Sequence, residues 1–292
     1  MRLIRPALVL LIASRAAAAQ VPNTDIYLAP LSRVGDSMVV GAAINVTHRP
    51  GYDNQPSFLL DSRAILYTAI ADGQADIWRY DIGPRTTTRV TATPESEYSA
   101  TPMPRENRFS VIRVERDSTQ RLWSFALDGS DPQLVLPLLK PVGYHAWLDS
   151  TRLVTFVLGT PSTLHLVSRD GSVDIVRAKD VGRAVHHVPN ERAFTYTQRD
   201  SGVLWITRQP IDRADARRLV RAAADNEFHA FMPDGTLLTA SGGTLLRWNK
   251  IQGEGSAWIP VADLTANGVR SVTRLAVSPD GNWLAFVAEP VP

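Results

Sequence analysis

The stretch Ser278-Pro279-Asp280-Gly281-Asn282-Trp283-Leu284-Ala285-Phe286 constrains this chain more than any other. A tight Pro-Asp-Gly turn running into alternating apolar residues reads as a hairpin between two strands. The design returns as Met232-Pro233-Asp234-Gly235-Thr236-Leu237-Leu238. Weaker copies are Val188-Pro189-Asn190-Glu191, Leu148-Asp149-Ser150, Pro104-Arg105-Glu106-Asn107 and Leu60-Asp61-Ser62. The anchors Asp61, Glu106, Asp149, Asn190, Asp234 and Asp280 stand 41 to 46 residues apart, which is the period of a propeller blade. One such sheet cannot bury both faces alone. Sheets stacked in a circle bury them for each other and leave only short edges.

Taken in order, the first whole blade begins near Pro56, with strands expected at Ser57–Leu60, Ala64–Ala69, Asp76–Asp81 and Arg85–Val90. Four more follow, from Pro102 to Leu136, His145 to Val176, His186 to Val220 and Ala230 to Ala262. The last segment, Thr273–Ala288, holds only two strands, and the apolar runs Asp25–Leu28 and Met38–Val46 supply the missing half. The expectation is an all-β, six-bladed β-propeller whose last blade is closed by strands from both chain ends. A slot on the third strands repeats as Ile26-Tyr27, Ile77-Trp78, Leu122-Trp123, Leu164-His165, Leu204-Trp205 and Leu245-Leu246. A large side chain recurring in every blade reads as packing between sheets, with His165 standing in for an aromatic.

Residues 1–19 read differently. Arg2 and Arg5 precede the apolar run Pro6–Ala13, and Ala16-Ala17-Ala18-Ala19 offers an A-x-A cleavage site before Gln20. This is the pattern of a secretory signal, cleaved near Ala19, with an uncleaved anchor as the competing reading of Arg15. The run is too short to span a bilayer, and no second run of that length follows. The division is therefore 1–19 signal peptide and 20–292 a single propeller domain, located in the periplasm or secreted. Without residues 1–19 the chain has 28 basic and 29 acidic residues, scattered and mixed in sign, so no nucleic-acid partner is expected. Cysteine is absent, which removes disulfides, thiol nucleophiles and Cys-based zinc sites.

Ser278-Pro279-Asp280-Gly281 followed by Leu284-Ala285-Phe286, together with Asp76-Ile77-Trp78 and Asp25-Ile26-Tyr27, resembles the TolB-type or PD40 (WD40-like) β-propeller repeat family. The likeness extends over residues 20–292, though only the last turn motif is complete. It implies the fold and leaves the function open, because members include periplasmic interaction proteins, propellers attached to peptidases and metal-dependent polysaccharide lyases. TolB itself carries an α/β domain before its propeller. Here the strand pattern starts almost directly after the signal, and a TolB role in the envelope complex is not expected.

Motifs for chemistry are few. The sequence has no G-x-S-x-G elbow, H-E-x-x-H helix, phosphate-binding loop, dinucleotide glycine pattern or EF-hand loop. Five of six histidines lie between His145 and His229, and His145, His186 and His229 stand four or five residues before a blade anchor. Side chains at such positions converge on a propeller's channel, and three imidazoles with an open position suit a divalent transition metal. Against that, His229 is offset by one residue from the slot of His145 and His186, which turns a strand side chain to the other face. Structural, hydrogen-bonded histidines are the alternative. Tyr52, Tyr98, Tyr144 and Phe228 occupy similar places in the inter-blade loops, either as an aromatic rim around a channel mouth or as plugs between blades. Asp53, Glu97 and Glu227 are the available carboxylates. The leading expectation is a non-catalytic exported propeller, without a required cofactor, that binds a protein, peptide or glycan in the cell envelope through its loop face and channel mouth. The alternative is a metal-dependent lyase or hydrolase acting on a polysaccharide through the histidine cluster.

Overall fold

The computed structural model describes residues 22–35, 37–249, 253, 256–265 and 268–290. The signal segment and its cleavage point lie outside these residues. The chain folds into six antiparallel sheets arranged as the blades of a propeller. Blade 1 runs outward as Tyr52–Phe58, Ala64–Ala71, Gln74–Asp81 and Thr86–Arg89. Blades 2 to 5 repeat the order, with inner strands at Ser96–Pro102, Val142–Trp147, Val181–His187 and Ala230–Phe231. One 3-10 turn, Ala223–Asp225, precedes blade 5. Among the described residues no helix is long and apolar enough to cross a membrane.

Blade 6 closes the ring from both ends. Leu275–Val277 pairs with Trp283–Pro290, which pairs with Asp25–Val34 in the register Ile26 to Val287 and Leu28 to Ala285. The outermost position is shared by Ile44–Asn45 and Ser37–Val40, both paired to Asp25–Val34.

The core is divided among the six blade interfaces, because each sheet buries both faces and alternate residues serve opposite neighbours. Ile65 and Tyr67 pack with Ile26, Leu28 and Val287 of blade 6, whereas the intervening Leu66 packs with Phe109, Val111 and Phe125 of blade 2. Leu237 likewise joins Ile206 and Val220 of blade 4, and its neighbour Leu238 joins Leu284 and Phe286 of blade 6. The third-strand slot splits in the same way. Ile26, Ile77, Leu122, Leu164 and Leu245 are wholly buried, while the rings that follow in blades 1, 2 and 4 are half-buried. Trp123 lies under the Arg113 guanidinium at 4.8 Å and donates its Nε1–H to Glu115 at 2.9 Å, and Trp205 lies near Arg218 and Arg221. The aliphatic member of each pair is core, and in blades 2 and 4 the ring carries a cationic partner at the sheet margin.

The turns explain the anchors. Asp61, Asp149, Asp234 and Asp280 each accept the backbone N–H two residues on, at 2.8 to 3.0 Å, as Asx turns do. Gly281 sits at φ +75° inside the Pro-Asp-Gly turn, a backbone region that suits glycine.

The inner strands begin earlier than the repeat indicates. Tyr52, Ser96, Val142 and Val181 open the inner strands of blades 1 to 4, so Tyr52, Tyr98 and Tyr144, read as inter-blade loop residues, lie in strands. Each of these strands carries a register shift, at Asn54/Ser57, Tyr98/Thr101, Val142/Tyr144 and Val181/Val185. Gln55 and Ser99 at the first two bulges have φ +59° and +56°. A bulge breaks the two-residue alternation, and the pattern on its far side loses its strand signature.

Candidate functional site: the central channel

The six inner strands surround a cavity of about 450 Å³. Its walls run from a layer holding Gln55, Ser99, Tyr144, Phe228 and Arg274 to the hairpin turns at Leu60, Pro104, Pro189 and Pro279. Phe58, Trp147, Phe231 and Val277 give apolar wall surface between these ends. Among the described residues no aspartate or glutamate lines the cavity, and its formal charges are Arg183 and Arg274.

The Arg274 layer follows from the turn chemistry. Leu148, Met232 and Ser278 close their hairpins by donating to the carbonyls of Arg152, Thr236 and Trp283. Tyr144, Phe228 and Arg274 each stand four residues before those closers, so the propeller repeat brings them to one level. Blades 3 and 6 face each other across a six-fold ring, and Arg274 Nη2 donates to Tyr144 Oη at 3.0 Å. The same guanidinium lies 3.9 Å over Phe228, which Arg183 approaches from 5.3 Å. Two arginines and two rings thus bridge the channel at this level. Tyr52 and Tyr98 lie earlier on their strands and are not among the cavity walls. Tyr52 remains in their electrostatic field. Burial pushes its hydroxyl up to about 12, opposed by Arg274 and reinforced by Tyr144 and Tyr98.

The predicted carboxylates are committed elsewhere. Asp53 is fully buried and accepts from Arg49 at 2.6 Å, Glu97 is fully buried and accepts from Arg113 at 3.1 Å, and Glu227 accepts from Arg183 at 2.6 Å.

The histidines fall into two groups, and the sequence offset is reversed. Leu148, Val188 and Met232 are equivalent turn closers. His145 and His229 each stand three residues before theirs and His186 two, so His145 and His229 share the slot. The cause is the placing of the anchors: Asp149 stands one residue past its closer, whereas Asn190 and Asp234 stand two past theirs. Both slot-mates contact a hydroxyl of the preceding blade. His145 Nε2 meets Ser110 Oγ at 2.6 Å, and His229 Nε2 meets Thr195 Oγ1 at 3.0 Å. His186 is half-buried, with its ring 4.6 Å from that of His229 and tilted edge-on. Burial lowers His145 to about 3 and, helped by the Arg274 charge, His186 to about 4, and it drives His229 well down. All three are neutral imidazoles at neutral pH.

Ser110 beside His145 has the elements of a nucleophile and base, but its bonds are spoken for. Ser110 is wholly buried, accepts Trp147 Nε1–H at 2.9 Å and donates to the Thr101 carbonyl at 3.2 Å. With the hydroxyl proton on Thr101, His145 must donate its Nε2–H to Oγ, which leaves Nδ1 as an unpaired acceptor. The proton relation is opposite to that of a general base. Among the described residues no three His, Asp or Glu side chains form a group able to hold a metal ion. The histidine set fits such an ion poorly, because the Nε2 atoms of His145 and His229 are already bonded.

Sequence reading missed Arg183 and Arg274. Counting back from the hairpin closers would have placed Arg274 in line with Tyr144 and Phe228. The bridge across the ring is not written locally.

Fold and channel together define a six-bladed β-propeller with an arginine-bearing cavity on its axis that has no acidic lining residue among those described. No protein-family model and no curated protein matches the sequence. Solved structures do match. A protein from Agrobacterium tumefaciens assigned as TolB superposes with a TM-score of 0.70 at 14% identity, covering 92% of this chain and 99% of that one. A gluconolactonase from Xanthomonas campestris gives 0.63 at 12% identity, over 96% and 99% of the two chains. An oligogalacturonate lyase in complex with manganese gives 0.54 at 14% identity, over 86% and 80%. At these identities the likeness is one of fold, and the fold by itself does not choose between binding and catalysis.

Proposed function

We propose that the protein is an exported, non-catalytic β-propeller that binds a protein, peptide or glycan ligand of the cell envelope through the mouth of its central channel. The observation that carries this reading is the cavity, built from all six inner strands and walled by aromatic rings and arginines, with no carboxylate among the described lining residues. Its volume of about 450 Å³ falls within the ~300–1,000 Å³ of small-molecule sites and would seat one residue or sugar of a longer ligand. Its walls recognise more readily than they react. Asp53, Glu97 and Glu227 are held by arginines, and the Ser110 hydroxyl is saturated. The basic start, apolar centre and alanine run of residues 2–19 support export to the periplasm or beyond.

Ser57 lines the cavity and is half-buried, so Ser57→Trp fills the channel from one wall. The experiment passes an envelope extract over immobilised wild-type and Ser57→Trp proteins of matched melting temperature. Components held by the wild type and lost from the variant are expected. Equal retention by both would mean that the channel is not the binding surface.

A further inference from the structure

Arg274 is a cation without a counter-charge. Among the described residues its hydrogen-bond partner is Tyr144 Oη, and no carboxylate lies within ion-pair reach of it. The other cavity arginine, Arg183, is paired with Glu227. A guanidinium has five N–H donors in a flat fork, and the single bond to Tyr144 uses one. The guanidinium carbon lies 3.9 Å from the Phe228 ring and 5.2 Å from the Tyr144 ring, and Arg274 is among the residues lining the cavity, where its remaining donors have no protein acceptor among the described residues. Tyr144 accepts from Arg274, so its own O–H is left to donate. The pair therefore holds unused donors at the cavity wall, half-buried, where a charge interacts more strongly than in bulk water. Toward the hairpin turns the walls become apolar, with Phe58, Trp147, Phe231 and Val277.

We infer that the channel is an anion site. Arg274 and Tyr144 take a carboxylate presented by the ligand, and the apolar walls above them hold the ring-sized body that carries it. The inference rests on the channel-binding reading and narrows it to acidic ligands. A planar carboxylate matches the guanidinium fork with two parallel bonds, which a neutral amide cannot reproduce in charge. Among the described residues the other lining groups are positive or neutral, so none of them repels the anion.

The test titrates the mature chain with phenylacetate, its neutral isostere phenylacetamide and inorganic phosphate, following Trp147 and the Arg274 side chain by NMR. Phenylacetate is expected to bind saturably, and phenylacetamide and phosphate about tenfold more weakly or worse. Arg274→Gln is expected to lose about tenfold in phenylacetate affinity, while Arg274→Lys, which keeps the charge, retains part of it. Equal binding of acid and amide, undiminished binding by Arg274→Gln, or no saturable binding of phenylacetate would each overturn the anion site. Phosphate binding as tightly as phenylacetate would overturn the apolar part of the proposal. If phenylacetate fails while Ser57→Trp still loses the extract components, the anion site falls and the channel reading stands. If the Ser57→Trp contrast is absent, it is the channel reading that fails.

Discussion

Buried ionisable side chains set the character of this protein one residue at a time. Asp53 is fully buried at the start of the blade 1 inner strand, and one of its oxygens has no partner. Burial raises its pKa from 3.8 to about 6, against the opposing charge and hydrogen bond of Arg49. A raised carboxyl pKa means that the folded state holds the proton more tightly than the unfolded chain. The stability it contributes is fully present below about pH 4 and is lost as pH rises through about 6, by at most about 3 kcal/mol at ~1.4 kcal/mol per unit. The channel histidines have the opposite slope, because their depressed values remove stability as pH falls below 6.5. Comparing wild type with Asp53→Asn at each pH separates the two. The difference in unfolding free energy, wild type minus variant, is expected to fall between pH 4 and pH 6. A flat difference would show that Asp53 titrates as an ordinary carboxylate. None of this is legible in sequence, where Asp53 is one acid in a Gly-Tyr-Asp-Asn run that reads as a loop. Its burial comes from the bulged strand that continues through Asn54.

At the scale of the element, blade 6 is decisive, since it is the only sheet made from both ends of the chain. Leu284, Ala285, Phe286, Val287 and Ala288 are all completely buried, alternating between the interfaces with blades 5 and 1. Three of these are large apolar side chains, each worth about 1.5–3 kcal/mol on burial, so together they rival the ~5–15 kcal/mol net stability of a whole domain. Deleting residues 273–292 also strips the partner from Ile26, Tyr27 and Leu28. The truncated chain is expected to lose its cooperative thermal transition by circular dichroism. A melt matching that of the intact protein would contradict the closure. This element was legible because its signals are local: a Pro-Asp-Gly turn, an alternating run and two unpaired strands at the termini. The inner strands of blades 1 to 4 were half legible. Their hairpin ends carry the turn signal, but the bulges at Gln55 and Ser99 interrupt the alternation that would have revealed the rest. The histidine offset failed for a related reason. Asp149, Asn190 and Asp234 look alike in sequence, yet Asp149 stands one residue past its hairpin closer and the other two stand two past theirs, so only the pairing of Leu148, Val188 and Met232 shows which histidines match.

For the whole molecule, the ring matters because it joins residues that no single blade can. Arg274 and Tyr144 are 130 positions apart and belong to opposite blades, and their hydrogen bond spans the axis. Sequence reading identified Tyr144 and Phe228 from their place in the repeat, but missed the arginine that binds them together. Repeats predict which positions share a level; they do not say which charges are left without partners once the circle closes. The acid-free lining is likewise a property of the closed ring, since the chain as a whole has nearly equal numbers of acids and bases. The claim that this channel is where the protein meets its ligand is tested most directly in living cells, with a photo-crosslinking residue at Pro189 on the channel wall or at Val176, 49% exposed on the outer strand of blade 3. The account predicts a discrete adduct from Pro189 that Ser57→Trp abolishes, and none from Val176. Adducts from Val176 with none from Pro189 would move the binding surface to the rim of the blades and contradict it.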